Sequence, residues 1–192
     1  KYYHSGNCSV YISGKVTSEI IRCIEDNLGS GQWGEVTEKA KTTLVPPVTT
    51  KEKRIFIERE DALQSSLKMG CFVMDRHHPD FLKARVMVTL FGGYFGSRLM
   101  SNIREDKGYT YGIGAGIVSY PGTGILTVST EAANEYVNSI ITEVYREMDK
   151  LCNDLVPQEE LEMVKNYMLG DLCRSYEGPF SLSDAWIYIE TA

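Results

Sequence analysis

The sequence predicts an α+β fold, in which a mainly antiparallel sheet is covered by helices on one face. Four segments that alternate apolar and polar residues occur as neighbouring pairs, 54–58 with 66–74 and 109–118 with 125–130. Helical patterns lie between and after these pairs, which is typical of a layered sandwich. At 192 residues and 43% hydrophobic content, the chain is long enough to bury a proper core.

The first 36 residues predict one strand and one helix. Residues 7–13 alternate apolar and polar side chains and close at Gly14, the pattern of a half-buried strand. A helix follows, with Thr17 as its N-cap and Gly29 as its stop. Its apolar stripe consists of Ile20, Ile21, Ile24 and Leu28. Residues 37–53, with two prolines at their centre, predict a semi-extended linker before the main domain at 54–192.

The main domain contains three helical patterns in addition to the helix that carries Arg104, which is described below. Pro79 opens a helix that is apolar on most sides, so we expect it to be buried on more than one side. A turn at Pro121-Gly122 joins the last two strands. Two helices follow, over about 137–151 with a regular apolar stripe and from near Pro157 onward.

The most informative segment runs from Gly92 to Tyr120. Leu99, Met100 and Ile103 form an apolar stripe on a helix that carries Arg104 on its flank and ends at Gly108. The next strand alternates between two faces. The first face is predicted to hold Tyr109, Tyr111, Ile113, Ala115 and Ile117, and the second Thr110, Gly112, Gly114, Gly116 and Val118.

Composition and charge exclude several classes of partner. The formal net charge of −6 and the pI near 5.2 offer no clustered positive charge for nucleic acid or an anionic membrane. The apolar runs are too short to span a bilayer, and no signal pattern opens the chain, so the compartment stays open between cytoplasm and cell envelope. The five cysteines include no close pair, which predicts small buried thiols and neither a disulfide framework nor a zinc knuckle.

Most catalytic templates are missing from the sequence. It has no Gly-x-Ser-x-Gly elbow and no Gly-Lys-Ser/Thr phosphate loop. The three histidines, His4, His77 and His78, are not spaced three or four apart, so no helix can direct two imidazoles at one metal. We therefore predict no metal site in this chain.

Arg104 and Tyr111, seven positions apart, are the remaining candidates for chemistry. Gly112, Gly114 and Gly116 weaken a strand unless another backbone approaches closely, which favours recognition of an extended peptide. The alternative interpretation is structural. In that case Arg104 is a weakly paired surface side chain beside Glu105, and Tyr111 belongs to the core.

Two motifs in this segment carry a resemblance to a known family. Gly-Gly-x-x-Gly-Ser-Arg-Leu starts at Gly92, and Ile-Arg-Glu-x-Lys-Gly-Tyr-Thr-Tyr starts at Ile103. Together they resemble the C-terminal domains of the pitrilysin and mitochondrial-processing-peptidase family of zinc metallopeptidases. The likeness extends to residues 7–28 and 155–161 and so covers nearly the whole chain.

The resemblance implies roles for particular residues. Arg104 and Tyr111 fall on the family's catalytic arginine and tyrosine, which act across a closed chamber from the zinc. Tyr109, Gly112 and Gly114 beside them are the candidate substrate-binding residues. A guanidinium and a phenol can donate hydrogen bonds to a substrate carbonyl or oxyanion, but neither can activate water.

The chain departs from the family by lacking its zinc-binding His-x-x-Glu-His motif. We therefore expect no cofactor here, zinc in a preceding domain or separate subunit, and a chain that is inactive alone although its parent is a zinc metalloendopeptidase. The expected partners are a peptide or protein substrate and the zinc-binding domain or subunit. The sequence leaves open whether the protein forms a dimer. The alternatives are an inactive partner or scaffold subunit that binds without cleaving, and a plain interaction domain.

The ends of the chain suggest a piece of a longer protein, since Lys1 stands where a start methionine would be. The resemblance implies that residues 1–36 close the preceding domain and that the last strand of the main sheet lies beyond residue 192. We further hypothesise that the strand at 8–12 fills that vacant place in the sheet, because an open edge favours pairing.

Overall fold

The computed structural model describes residues 3–29, 31, 33–34 and 51–191. They fall into two compact units. The central unit spans residues 44–168, and the terminal unit combines residues 1–43 with 169–192. The predicted linker at 37–53 lies almost wholly outside the described residues, so the division into 1–36, 37–53 and 54–192 stays a prediction.

The sheet of the central unit has three antiparallel strands in the order β1-β3-β2. They are β1 (Gln64–Val73), β2 (Thr110–Tyr120) and β3 (Thr123–Ala133). A two-residue turn closes the β2–β3 hairpin at the pair Tyr120 and Thr123, where Gly122 has a φ of +78°. The strands predicted at 66–74, 109–118 and 125–130 are therefore confirmed.

Five α-helices and several short helical turns complete the described chain. The α-helices are α1 (Ser18–Ile24), α2 (Phe81–Val88), α3 (Val137–Asn153), α4 (Gln158–Ser175) and α5 (Gly178–Thr191). Short 3₁₀ turns occur at Ser5–Asn7 and Asn134–Tyr136. Segments wound as π-helix are Glu25–Gly29, Thr89–Gly93 and Met100–Asp106. The last of these carries Arg104 and is called the arginine helix.

The core of the central unit lies between one face of the sheet and the helices packed on it. Its buried members are Phe91, Leu99, Ile103, Ile113, Val128, Ala132, Ile140 and Val144. They come from β2, β3, α3, the segment Thr89–Gly93, and the arginine helix with its N-cap Leu99. Alternate residues of β1 such as Lys68 are exposed. The predicted α+β class, with helices on one face of an antiparallel sheet, is confirmed.

The arginine helix forms where the apolar stripe predicts it. Leu99 and Ile103 are fully buried, and Gly108 ends the helix with a φ of +65°, the left-handed conformation that glycine adopts without strain. The Ile113 amide donates to the Met100 sulfur at 3.4 Å, which joins this helix to β2.

Two of the predicted strands are wrong. Residues 8–13 and 54–58 have no regular secondary structure, and no strand in the described part of the chain pairs with either of them. Alternation alone does not make a strand, because strand stability comes from cross-strand packing and a partner ladder. The hypothesis that a strand at residues 8–12 completes the main sheet is also wrong, since that segment does not form a strand.

Burial differs from expectation at α2 and at the cysteines. Phe81 and Val88 are buried, but Leu82 is 71% exposed and Met87 is 41% exposed, so α2 packs on one side only. All five cysteines are exposed free thiols, against the prediction of buried ones. The apolar character of a residue predicts its burial only when a neighbouring element covers it.

The terminal unit contains α1 and α5. Thr17 caps α1 as predicted, accepting a hydrogen bond from the Ile20 amide at 3.4 Å. The helix α5 was not predicted, although the positive φ of Gly178 and Pro179 in the first turn are ordinary start signals. Within the described ranges, no helix is both long enough and apolar enough to cross a lipid bilayer.

Candidate functional site

A groove of about 600 Å³ opens in the central unit where the arginine helix passes into β2. It is lined by Gln64, Arg104, Glu105, Gly108, Tyr109, Thr110, Tyr111, Glu131, Ala132, Ala133 and Tyr136. Three of the five predicted site residues, Arg104, Tyr109 and Tyr111, therefore lie around one groove. Its volume is in the range of small-molecule and side-chain binding clefts.

Arg104 is held at the edge of the groove by two contacts. Its Nη1 lies 3.3 Å from the Glu105 carboxylate, and its guanidinium carbon stacks 4.6 Å from the centre of the Phe95 ring. The side chain keeps 33% of its surface exposed. A guanidinium presents five N–H donors in a planar fork, so these contacts leave it able to donate to a ligand in the groove.

Buried polar contacts anchor the arginine helix to α3. The Asn102 amide nitrogen donates to the carboxylates of Glu143 at 3.1 Å and Glu147 at 2.7 Å. Both glutamates are buried, and Arg146 and Lys150 pair with them from the next turns of α3. Hydrogen bonds to buried charged groups hold their geometry tightly, so the backbone that carries Arg104 is fixed on its inner side.

The loop before the arginine helix is tied to α4. Arg98 donates to both oxygens of Glu160, each at 2.8 Å, in a bidentate pair. These hydrogen bonds raise the pKa of Arg98 above its ordinary value. The rings of Tyr94 and Tyr167 stack beside them at 4.9 Å. Both contacts fix the position of the backbone where it leads into the arginine helix.

Tyr111 is not a core residue. Its side chain is 93% exposed, whereas Ile113, two positions on, is 4% exposed. The register between β2 and β3 shifts by one residue between Thr110 and Ile113, which breaks the alternation of faces. The prediction that Tyr111 and Ile113 share a face is wrong for this reason, and so is the interpretation of Tyr111 as core.

A stacked pair of tyrosines forms one wall of the groove. The rings of Tyr109 and Tyr136 lie 4.8 Å apart and are inclined by 17°. The charge of Glu135, and to a smaller extent its hydrogen bond, raises the pKa of Tyr136 above the ordinary tyrosine value. A nearby carboxylate disfavours the phenolate, so Tyr136 loses its proton at a higher pH than an isolated tyrosine does.

We expect Glu135→Gln to lower the pKa of Tyr136 toward the ordinary tyrosine value. The substitution removes the negative charge that opposes ionisation of the phenol. Ultraviolet difference titration above pH 9 measures the change, with Tyr136→Phe identifying the signal that belongs to this ring. An unchanged titration curve would contradict the assignment of the shift to Glu135.

The glycines on β2 do not share one environment. The Gly112 carbonyl accepts a hydrogen bond from the Thr130 hydroxyl at 2.8 Å, and the Thr110 hydroxyl oxygen lies 3.1 Å from it. A Cβ at Gly114 would lie 3.7 Å from the carbonyl oxygen of Gly92, and a Cβ at Gly116 would meet nothing within 4 Å. Neither Gly112 nor Gly114 is among the residues that line the groove.

Comparison with protein families identifies the architecture. Residues 1–168 match the family model described as the peptidase M16 inactive domain. The chain belongs to this M16 family. Its resemblance to the C-terminal domains of the pitrilysin family is thereby confirmed.

Relatives of this M16 domain include proteins named as proteases. An uncharacterized zinc protease, YmxG, of Bacillus subtilis is 26% identical over 177 residues, which cover 92% of this chain and 42% of the relative. The M16 domain thus spans less than half the length of that protein.

Two solved structures resemble this M16 domain. A peptidase M16 inactive domain from Pseudomonas fluorescens is 27% identical, with a TM-score of 0.54 over 57% of this chain and 27% of the other. A protease from Helicobacter pylori has a TM-score of 0.70 over 91% of this chain and 43% of the other. At 16% sequence identity, the latter likeness concerns the fold alone.

Several groove residues of the M16 domain were not predicted from the sequence. Glu131 comes from β3, Tyr136 from the turn that follows it, and Gln64 from the start of β1. The hairpin turn at Pro121-Gly122 could have predicted the residues from β3. If the strands pair regularly outward from this turn, residues 131–133 lie opposite residues 110–112.

The described residues of the M16 domain include no group of three histidine, cysteine, aspartate or glutamate side chains placed to hold a metal ion. The groove itself is lined by arginine, tyrosine and carboxylate side chains among others. These groups can donate and accept hydrogen bonds and bind charge.

Proposed function

We propose that this M16 domain helps bind extended peptide substrates of a zinc metallopeptidase and stabilises the transition state through Arg104 and Tyr111. The observation that carries the proposal is the position of both side chains on one groove. Arg104 is partly exposed and Tyr111 is almost fully exposed, so both can reach a bound ligand.

The chemistry of the two groups supports this role. Charge builds up on the carbonyl oxygen when a peptide bond is attacked, and donors already in position stabilise that charge. A guanidinium and a phenol are such donors, but neither can generate the attacking hydroxide. In the proposal the zinc is therefore bound by another domain or subunit, in agreement with the zinc protease relative that is longer than this chain.

The walls of the groove suit a peptide. The stacked rings of Tyr109 and Tyr136 offer an apolar surface for a side chain, and Ala132 and Ala133 leave room beside it. Tyr109 is the substrate-binding candidate that this geometry favours. Gly112 and Gly114 have no side chain and do not line the groove. In this proposal they contribute through the backbone of β2, behind the groove.

The proposal is tested by Tyr111→Phe in the intact peptidase. We expect kcat to fall by about tenfold with little change in KM, because the hydroxyl would donate chiefly to the transition state. Tyr120→Phe is the matched control. It removes a hydroxyl from another exposed tyrosine of the same strand, away from the groove, and we expect it to leave kcat unchanged.

Equal kcat values for Tyr111→Phe and the unmodified protein would overturn the catalytic role. Peptide binding measured by fluorescence anisotropy separates the alternative. If the intact protein binds an extended peptide through Tyr111 without cleaving it, the domain serves an inactive partner or scaffold subunit.

A further inference from the structure

We infer that Thr130 is a positioning residue for Tyr111, whose buried hydroxyl holds the β2 bulge that turns the tyrosine into the groove. The inference rests on the proposed function, because it gives Thr130 a part in the same site. Thr130 does not line the groove and acts only through the strand next to it.

The bulge consists of one additional residue on β2. Thr110 pairs with Ala132, and Ile113 pairs with Thr130, so that Tyr111 and Gly112 both lie opposite Glu131. A regular continuation of the hairpin from Ile113 would instead pair Tyr111 with Ala132. Ala132 is 3% exposed on the core face, so the regular register would direct Tyr111 toward the core.

Two threonine hydroxyls satisfy the polar groups that the bulge removes from the ladder. The Gly112 amide donates to the Thr110 hydroxyl at 3.2 Å, and that hydroxyl donates to the Glu131 carbonyl at 2.6 Å. The Gly112 carbonyl accepts from Thr130 at 2.8 Å. Gly112 is exposed, but the Thr130 hydroxyl is buried and would need another acceptor in a different register, so these bonds favour the bulged register over its alternatives.

The Thr130 hydroxyl lies between two acceptors. Its oxygen is 2.8 Å from the Thr110 oxygen as well as 2.8 Å from the Gly112 carbonyl. A hydroxyl has a single proton, which Thr130 can give to either acceptor, whereas the Thr110 proton goes to Glu131. Given to Gly112, this proton satisfies the carbonyl that the bulge leaves outside the ladder.

The burial of the Thr130 hydroxyl is explained by its hydrogen bonds to the bulge. Thr130 is 6% exposed and sits on the core face of β3, between Val128 and Ala132. A valine would have nearly the same shape there and would bury no hydroxyl. Burial of a polar group is unfavourable unless it is hydrogen-bonded, and here the bonds go to the bulge.

The test compares Thr130→Val and Thr130→Ser in the intact peptidase. We expect the valine variant to lower kcat about tenfold with KM little changed, as Tyr111→Phe does, and the serine variant to stay within about twofold of the unmodified protein. In a Tyr111→Phe background, Thr130→Val should cause no further loss of kcat, because both changes then remove the same donor. Thr127→Val, at another β3 threonine outside the bulge, is the matched control.

A second measurement does not depend on activity. With 3-fluorotyrosine incorporated, the ¹⁹F resonance of Tyr111, assigned by its loss in Tyr111→Phe, should shift in Thr130→Val and not in Thr127→Val. An unshifted resonance, or a full additional loss of kcat in the Tyr111→Phe background, would overturn the inference. If Tyr111→Phe retains its kcat while Thr130→Val still shifts the resonance, the positioning role stands and the proposed function fails.

Discussion

In the proposed peptidase, replacing Arg104 with alanine is expected to lower kcat by about tenfold or more. The change removes a charged, forked donor from the groove, and the loss of one transition-state donor commonly costs a hundredfold or more. The lower bound allows for the 33% exposure of the side chain, since water can replace part of the interaction. Steady-state kinetics on an extended peptide substrate measure the effect.

Two further variants identify the origin of the loss. Arg104→Lys keeps the charge but not the fork, and we expect it to recover only part of kcat. Arg104→Ala also leaves Glu105 in the groove without its cationic neighbour, so Arg104→Ala with Glu105→Gln separates the missing donor from the added negative potential. Arg85→Ala, at an exposed arginine of α2 outside the groove, is the control. Turnover that is unchanged in Arg104→Ala would rule out the catalytic role.

Phe91→Ala is expected to destabilise the central unit by about 3–5 kcal/mol. Phe91 is 1% exposed in the core cluster, and truncation of a buried phenylalanine loses its transfer free energy and leaves a cavity. Urea denaturation followed by far-ultraviolet circular dichroism measures the change. Phe95→Ala is the matched control, since that ring is 64% exposed and its removal, with the loss of its stacking on Arg104, should cost about 1 kcal/mol or less.

The positions of the tryptophans provide an internal check on this experiment. Trp33 and Trp186 are the two tryptophans of the chain, and both belong to the terminal unit. Their fluorescence therefore reports the unfolding of the terminal unit, whereas far-ultraviolet circular dichroism reports the unfolding of both units. Equal midpoints for Phe91→Ala and the unmodified chain by circular dichroism would contradict the central place of Phe91 in the core.

The sequence predicted those parts of the site that depend on local chemistry. The stripe of Leu99 and Ile103 fixes the buried side of the arginine helix, and Gly108 fixes its end, because both signals act over a few residues. The flank position of Arg104 follows from them. The β2–β3 hairpin was predictable for the same reason, since a two-residue turn determines its own register.

The remaining parts depend on contacts that are distant along the chain. Tyr111 was assigned to the core face because alternation is assumed to continue along a strand. The bulge that interrupts this alternation is stabilised by Thr130, which lies 19 residues after Tyr111 in the chain. The segments 7–13 and 54–58 failed as strands because no ladder partner for them is found among the described residues. A pattern within a segment carries no information about its partner.

The bulge in β2 also affects how this motif should be recognised in other proteins. The interval of seven residues between Arg104 and Tyr111 includes one residue that the sheet leaves unpaired. A homologue that has lost Tyr111 by a single deletion could keep every strand pair and the same helix, with Gly112 alone opposite Glu131 and no tyrosine at the groove. Alignments that accept a one-residue gap at this point would therefore group proteins that retain the arginine and tyrosine arrangement with proteins that have lost it.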